Sequence, residues 1–126
     1  ETPVEPVEPG TNEAALRSDF VDVLAHPGLI TVEEARLAAE KGIYLEVSAR
    51  KGHSLANGHV VKTAKEAGAI TVLDSDAHEP DDLLTPDIRQ KVAKGAGLSD
   101  DEIHALLETN PRKLLAKLGF PVAHPA

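Results

Sequence analysis

Three short apolar runs alternate with segments of helical spacing, and each run stops abruptly at polar residues. Residues 21–25 (Val-Asp-Val-Leu-Ala) end at His26-Pro27-Gly28. Residues 43–47 (Ile-Tyr-Leu-Glu-Val) lead into a polar loop, and residues 70–73 (Ile-Thr-Val-Leu) end in Asp74-Ser75-Asp76-Ala77-His78. Apolar runs of this length bounded by breakers predict buried strands. Between them, Val32, Ala35, Ala38 and Ala39 keep helical spacing, with Thr31 as N-cap, Glu33 and Glu34 in the first turn and Gly42 as C-cap. A second helix is predicted over residues 59–67, capped by Asn57 and closed by Gly68.

The flanks of this core follow the same rules. Thr11 or Asn12 is a candidate N-cap for a short helix over residues 13–18. Pro86 suits the first turn of a helix over 87–94, Ser99 and Glu102 form a capping box for a helix over 100–108, and Asn110 with Pro111 opens a last helix ending near Leu118. Residues 81–84 predict a short turn or 3₁₀ segment. Pro3, Pro6 and Pro9 favour extended or polyproline backbone over residues 1–10, and residues 119–126 form a tail. Strand and helix in alternation imply right-handed βαβ units, a parallel sheet and an α/β fold of three strands with four to six helices.

Composition narrows the chemistry. The 126 residues suit one small domain, expected to span residues 1–118 ahead of the tail. The net charge of −8 disfavours a nucleic-acid partner. The lack of cysteine removes disulfides and thiolate metal sites and is compatible with a cytoplasmic setting. No apolar run approaches the roughly 20 residues that span a bilayer, so no membrane partner is expected. With no methionine, the chain is expected to begin within a longer sequence or after processing. With no tryptophan, one tyrosine and two phenylalanines, the core is expected to be built from Ala, Val, Leu and Ile.

Chemically useful residues collect at the carboxyl ends of the three strands, where parallel sheets place their sites. His26 follows the first strand. Glu46, within the second, either faces solvent or aims at a site. Arg50, Lys51 and His53, in the loop after it, offer positive charge for a phosphate. Asp76 and His78 follow the third strand, and in extended backbone two residues apart they project to one side as a carboxylate–imidazole pair suited to a divalent cation.

Four segments together resemble the carboxyl-terminal half of the PHP (polymerase and histidinol phosphatase) family. They are Asp22-Val-Leu-Ala-His26-Pro-Gly28, Tyr44-Leu-Glu-Val-Ser48, Asn57-Gly-His59 and Ser75-Asp-Ala-His78; Asn110-Pro-Arg-Lys-Leu-Leu115 fits that family's tail. The resemblance implies a partial (β/α)7 barrel of TIM-like kind and up to three zinc, manganese or iron ions. It implies hydrolysis of a phosphorylated small molecule, histidinol phosphate among the candidates, by metal-activated water. The family's later histidine motif falls on His26 and its D-x-H motif on Asp76 and His78, the expected ligands. Glu46, Arg50, His53 and Asp74 are expected behind them or against the substrate. The family's opening H-x-H motif, its next histidine and its bridging glutamate have no counterpart here and would precede Glu1. The chain alone is therefore expected to be impaired or inactive. The alternatives are a non-catalytic fragment or assembly module that self-associates or pairs with a missing half-barrel, and a PHP-type nuclease.

Overall fold

The computed structural model describes residues 7–123. The three strands are β1 (Val23–Leu24), β2 (Tyr44–Ser48) and β3 (Thr71–Asp74), parallel and in the order β1-β2-β3. The register sets Leu24 beside Leu45, and Glu46 and Ser48 beside Val72 and Asp74. The sheet is thus an α/β arrangement consistent with part of a barrel. The first strand is shorter than the apolar run around it, because the ladder ends at Leu24 and the backbone turns at His26. Of the extension expected over residues 1–10, residues 1–6 lie outside the described part, and Pro9 and Gly10 form a turn. Residues 124–126 of the tail lie outside it as well.

All five residues of β2 are buried. Leu45 packs with Leu16, Ile30, Ala35, Ala38 and Val60 from α1 (Thr11–Arg17), α2 (Val32–Lys41), α3 (Asn57–Ala67) and the loop before α2. Val47 packs with Val61, Ala93, Ile103 and Leu106 from α3, α4 (Pro86–Gly95) and the helix that begins at Asp100. Because successive side chains of a strand alternate faces, Tyr44, Glu46 and Ser48 point away from this helical layer. Aliphatic residues and alanine supply nearly all of the core; Tyr44 is its one aromatic member among the described residues.

The helices α2 and α4 start as capping rules dictate: Thr31 and Glu34 form a reciprocal box, and the Thr85 hydroxyl accepts from Ile88 N–H. Three asparagines depart from their expected capping role. The residue before α1 is Gly10, in left-handed backbone, while Asn12 lies inside the helix and donates to Pro27 O at 3.0 Å. Asn57 already belongs to α3; its amide accepts from Ser48 N–H (3.1 Å) and donates to Ser48 O (2.8 Å), satisfying both backbone groups at the end of β2. Asn110 lies within a helical run and donates to Thr71 O at 2.8 Å.

That run is α5 (Asp100–His104), a π-helical turn (Ala105–Thr109) and α6 (Asn110–Lys117), where the sequence predicts two separate helices. Pro111 explains the wide turn. It has no N–H for a carbonyl four residues back, and its ring would crowd that carbonyl in regular α geometry. The continuous path carries α6 across the amino-terminal ends of the strands, where Lys117 Nζ reaches Gly42 O (2.7 Å) and Asp22 (3.4 Å). Among the described residues no helix is long and apolar enough to cross a membrane.

Candidate metal centre

The polar residues at the carboxyl ends of the strands meet. His26 Nε2 lies 3.2 Å from Asp76 Oδ2, and His53 Nε2 lies 3.6 Å from the same oxygen. Each successive strand end thus contributes one group: His26 after β1, His53 from the loop after β2, Asp76 after β3. Among the described residues these three offer donor atoms all within 4.8 Å of one another and could hold a metal ion. Two ligands about 2.0–2.1 Å from one zinc ion at the tetrahedral angle are about 3.4 Å apart, so the two imidazole–carboxylate separations suit a shared cation.

The imidazoles themselves are stacked, with centroids 3.6 Å apart and planes 11° from parallel. Lone pairs of parallel rings lie in parallel planes and cannot both aim at one point. Capture of an ion by both therefore requires one ring to tilt.

Backbone strain marks the same place. His26 (φ 52°) and Asp76 (φ 47°) are the non-glycine residues with positive φ among those described. The left-handed region costs an L-residue about 1–2 kcal/mol, and such residues gather at functional sites. This overturns the extended geometry expected for Asp76 and His78. Asp76 turns the chain, and His78 Nδ1 hydrogen-bonds the Asp76 carbonyl at 2.8 Å. A carbonyl only accepts, so Nδ1 carries the hydrogen and Nε2 of neutral His78 keeps its lone pair. His78 is more exposed than the other two imidazoles, with Nδ1 3.9 Å from Asp76 Oδ1, and lies outside the three-residue cluster.

Glu46 is 3% exposed, which excludes the solvent-facing alternative. Its Oε1 accepts the His26 N–H at 2.9 Å and lies 3.8 Å from His26 Nε2. Burial, a side-chain hydrogen bond with Asp74, and the charges of Asp74 and Asp76 push its pKa up to about 8, against the lowering effect of the His26 N–H. At neutral pH Glu46 therefore holds a proton in contact with Asp74. Neither carboxyl group joins the three-residue cluster.

Arg50 stands on the other side of Asp76. Its Nη1 donates to Asp76 O (3.1 Å) and to Asp82 Oδ2 (3.5 Å), and its Nε lies 3.7 Å from Asp76 Oδ2. Asp82 also accepts from the N–H groups of His78 (2.9 Å) and Glu79 (3.1 Å). Those two bonds, more than the nearby Arg50 charge, hold the Asp82 pKa below the ordinary carboxylate value. His59, from the Asn57-Gly-His59 segment that carries part of the resemblance, is engaged elsewhere: Nε2 donates to Ile30 O at 2.7 Å.

Two cavities flank the cluster. One of about 360 Å³ lies beside His26 and His53, between α1 and the 3₁₀ turn at Ser54–Ala56, and is lined by Leu24, Ala15 and Leu55 with Glu8. The other, about 610 Å³, is open and polar, and includes Arg50, Lys51, His78 and Asp82. The part played by His53 was the least legible feature in the sequence. It sits in a loop without periodicity, where its company with Arg50 and Lys51 pointed to a phosphate or a supporting role, and the structure sets it in the cluster with His26 and Asp76.

The chain is similar to several curated proteins. It is 42% identical over 94% of its length to an uncharacterised protein of Methanocaldococcus jannaschii, of which it covers 54%. It is 35% identical over 69% of its length to a protein of Thermoanaerobacter sp. (strain X514) named "probable phosphatase", of which it covers 40%. It is 32% identical over 82% of its length to another "probable phosphatase", of Shewanella halifaxensis, of which it covers 45%. The chain thus spans about half the length of the curated relatives it matches. No family model matches it, and no solved structure does.

Proposed function

We propose that the chain is part of a metal-dependent phosphatase of the PHP type, in which His26, His53 and Asp76 hold a divalent cation and hydrolysis of a phosphoester takes place at the carboxyl rim of the sheet. The observation that carries this reading is the meeting of one donor from each of three successive strand ends within 4.8 Å. The relatives named as phosphatases support the same reaction class. Among the described residues both outer strands pair along one edge only, which supports a sheet completed by further strands, as a barrel of about twice this length would provide.

A bound divalent cation supplies a lowered pKa for water and charge to offset the phosphoryl oxygens. The chain's own residues do the rest. Lys51 and Arg50 line the polar cavity and give it positive charge for a phosphate. His78, with Nε2 unprotonated when neutral, offers either a further ligand or an acceptor for a proton. Asp76 Oδ2 faces Nε2 of both imidazoles, at 3.2 and 3.6 Å.

The test compares residues 1–126 with the full natural protein, each before and after Asp76→Ala, His26→Ala and His53→Ala. Bound zinc or manganese and the turnover of p-nitrophenyl phosphate are measured. Each substitution in the full protein is expected to lower metal content and cut turnover at least about 100-fold, in keeping with loss of a metal ligand. Metal content unchanged in the Asp76→Ala protein would sink the proposal.

A further inference from the structure

We propose that Glu46 and Arg50, on β2 and in the loop that leaves it, are positioning residues that pin the two strained ligands of the cation site. The inference rests on the cation-binding reading above. His26 and Asp76 both sit in left-handed backbone, a conformation that persists only where neighbours impose it. Each has such a neighbour on one segment, β2 and the loop after it, and the Asp76 carbonyl also accepts from its own loop's His78 Nδ1 at 2.8 Å.

At His26 the β1–β2 ladder has just ended, at Leu24 beside Leu45. The His26 N–H finds the side chain of Glu46, at 2.9 Å, as its acceptor. The carboxyl is 3% exposed and makes its other contact with Asp74, so it has little room to move. If His26 relaxed to extended backbone, it would lose this acceptor and its ring would leave Asp76.

At Asp76 the pinned group is the carbonyl, which accepts from Arg50 Nη1 at 3.1 Å. The guanidinium is braced from behind by Asp82, which also gathers the N–H groups of His78 and Glu79. The loop after β3 is thereby folded around one arginine–aspartate contact. Nη1 is taken by the Asp76 carbonyl and Asp82, and Nε lies 3.7 Å from the Asp76 carboxylate, so a phosphate in that cavity would meet only the Nη2 edge of Arg50 beside Lys51.

Residues that orient metal ligands typically change affinity by about 10–100-fold when altered. The test measures Zn²⁺ affinity by competition with a chelator, and the visible spectrum of the Co²⁺-substituted protein, in the full natural protein. Glu46→Gln keeps the oxygen that accepts from His26 and can still donate to Asp74; its affinity is expected within about 3-fold of the unaltered protein. Glu46→Asp is one methylene short of His26 and is expected to bind about 10–100-fold more weakly, with altered Co²⁺ bands that a general loss of stability would not produce. Arg50→Gln, at a partly exposed position, is expected to lose about 10-fold with its melting temperature retained. Zn²⁺ binding by Glu46→Asp and Arg50→Gln as tight as before, with the Co²⁺ spectrum unmoved, overturns the proposal. Should Glu46→Asp fail to fold, Arg50→Gln alone decides: unchanged affinity overturns, weakened affinity supports. An unaltered protein that binds no Zn²⁺ overturns the cation site itself, an outcome distinct from variants that bind normally.

Discussion

The two ends of the sheet are built on opposite plans. At the amino-terminal end, α6 crosses beneath the strands, and polar side chains close backbone whose left-handed residue there, Gly42, has no Cβ to strain: Asn110 satisfies Thr71 O, and Lys117 satisfies Gly42 O while facing Asp22. At the carboxyl end, two non-glycine residues are held in left-handed backbone, two imidazoles stack against each other, and a buried glutamic acid keeps its proton. One end lowers the energy of the fold. The other holds crowded donors and strained backbone that the rest of the structure must support, a division expected where a site is placed on a scaffold. Changes at the floor should therefore alter stability and leave cation binding alone; changes at the rim should do the reverse or couple the two.

The largest expected effect is the pH dependence of the rim. Glu46 has a folded pKa of about 8 against an ordinary value of 4.5. Between these values the folded chain keeps a proton that the unfolded chain releases, so stability falls as pH rises. The contribution is full below about 4.5 and is lost as pH climbs through about 8. Each unit of separation is worth about 1.4 kcal/mol, so the loss is on the order of a few kcal/mol. Urea melts of metal-free protein from pH 5 to 8.5 should show it. Glu46→Gln, which has no proton to lose, should flatten the slope, and saturating Zn²⁺ should reduce it by favouring the ionised carboxyl groups nearby. A metal-free protein that grows more stable from pH 5 to 8 would contradict this account of Glu46.

The floor gives the contrasting result. Asn110→Ala removes the donor that Thr71 O relies on. The expected cost is about 1–2 kcal/mol, that of a lost hydrogen bond with its partner left behind. Zn²⁺ affinity should stay within experimental error, since α6 lies at the opposite end of the strands from the three donor residues. A fall in affinity matching the fall in stability would mean that the two ends of the sheet are energetically coupled.

Much of this division was visible in the sequence, and the misses have a common cause. The strand ends were legible because apolar runs stop sharply at polar residues, which fixed His26 and Asp76 at one rim. Asn12, Asn57 and Asn110 all looked like helix caps, since each stands before an amphipathic stretch. Each instead lies within a helix and reaches a distant carbonyl, of Pro27, Ser48 or Thr71. A local capping rule has no access to a partner 9 to 39 positions away. The burial of Glu46 was open for a related reason: alternation cannot tell inside from outside on a strand whose two faces are both covered. His53 and the left-handed turns at His26 and Asp76 depend on how the loops fold over one another, and neither periodicity nor residue type encodes that.

The smallest effect tests the strain itself. Asp76→Ala and Asp76→Gly both delete the carboxylate that faces His26, His53 and Arg50. They therefore share the loss of those contacts and of the cation ligand. They differ in backbone alone: alanine must hold φ near the 47° of Asp76, while glycine adopts it without a Cβ penalty. Glycine also gives the unfolded chain more freedom, which offsets part of that gain. The Gly variant should be the more stable by roughly 0.5–1 kcal/mol, read as a difference in urea midpoint at equal slope. Were position 76 unstrained, the order would invert, with alanine ahead by about the same amount. The sign of this one difference thus reports whether the carboxyl rim carries stored strain that the amino-terminal floor does not.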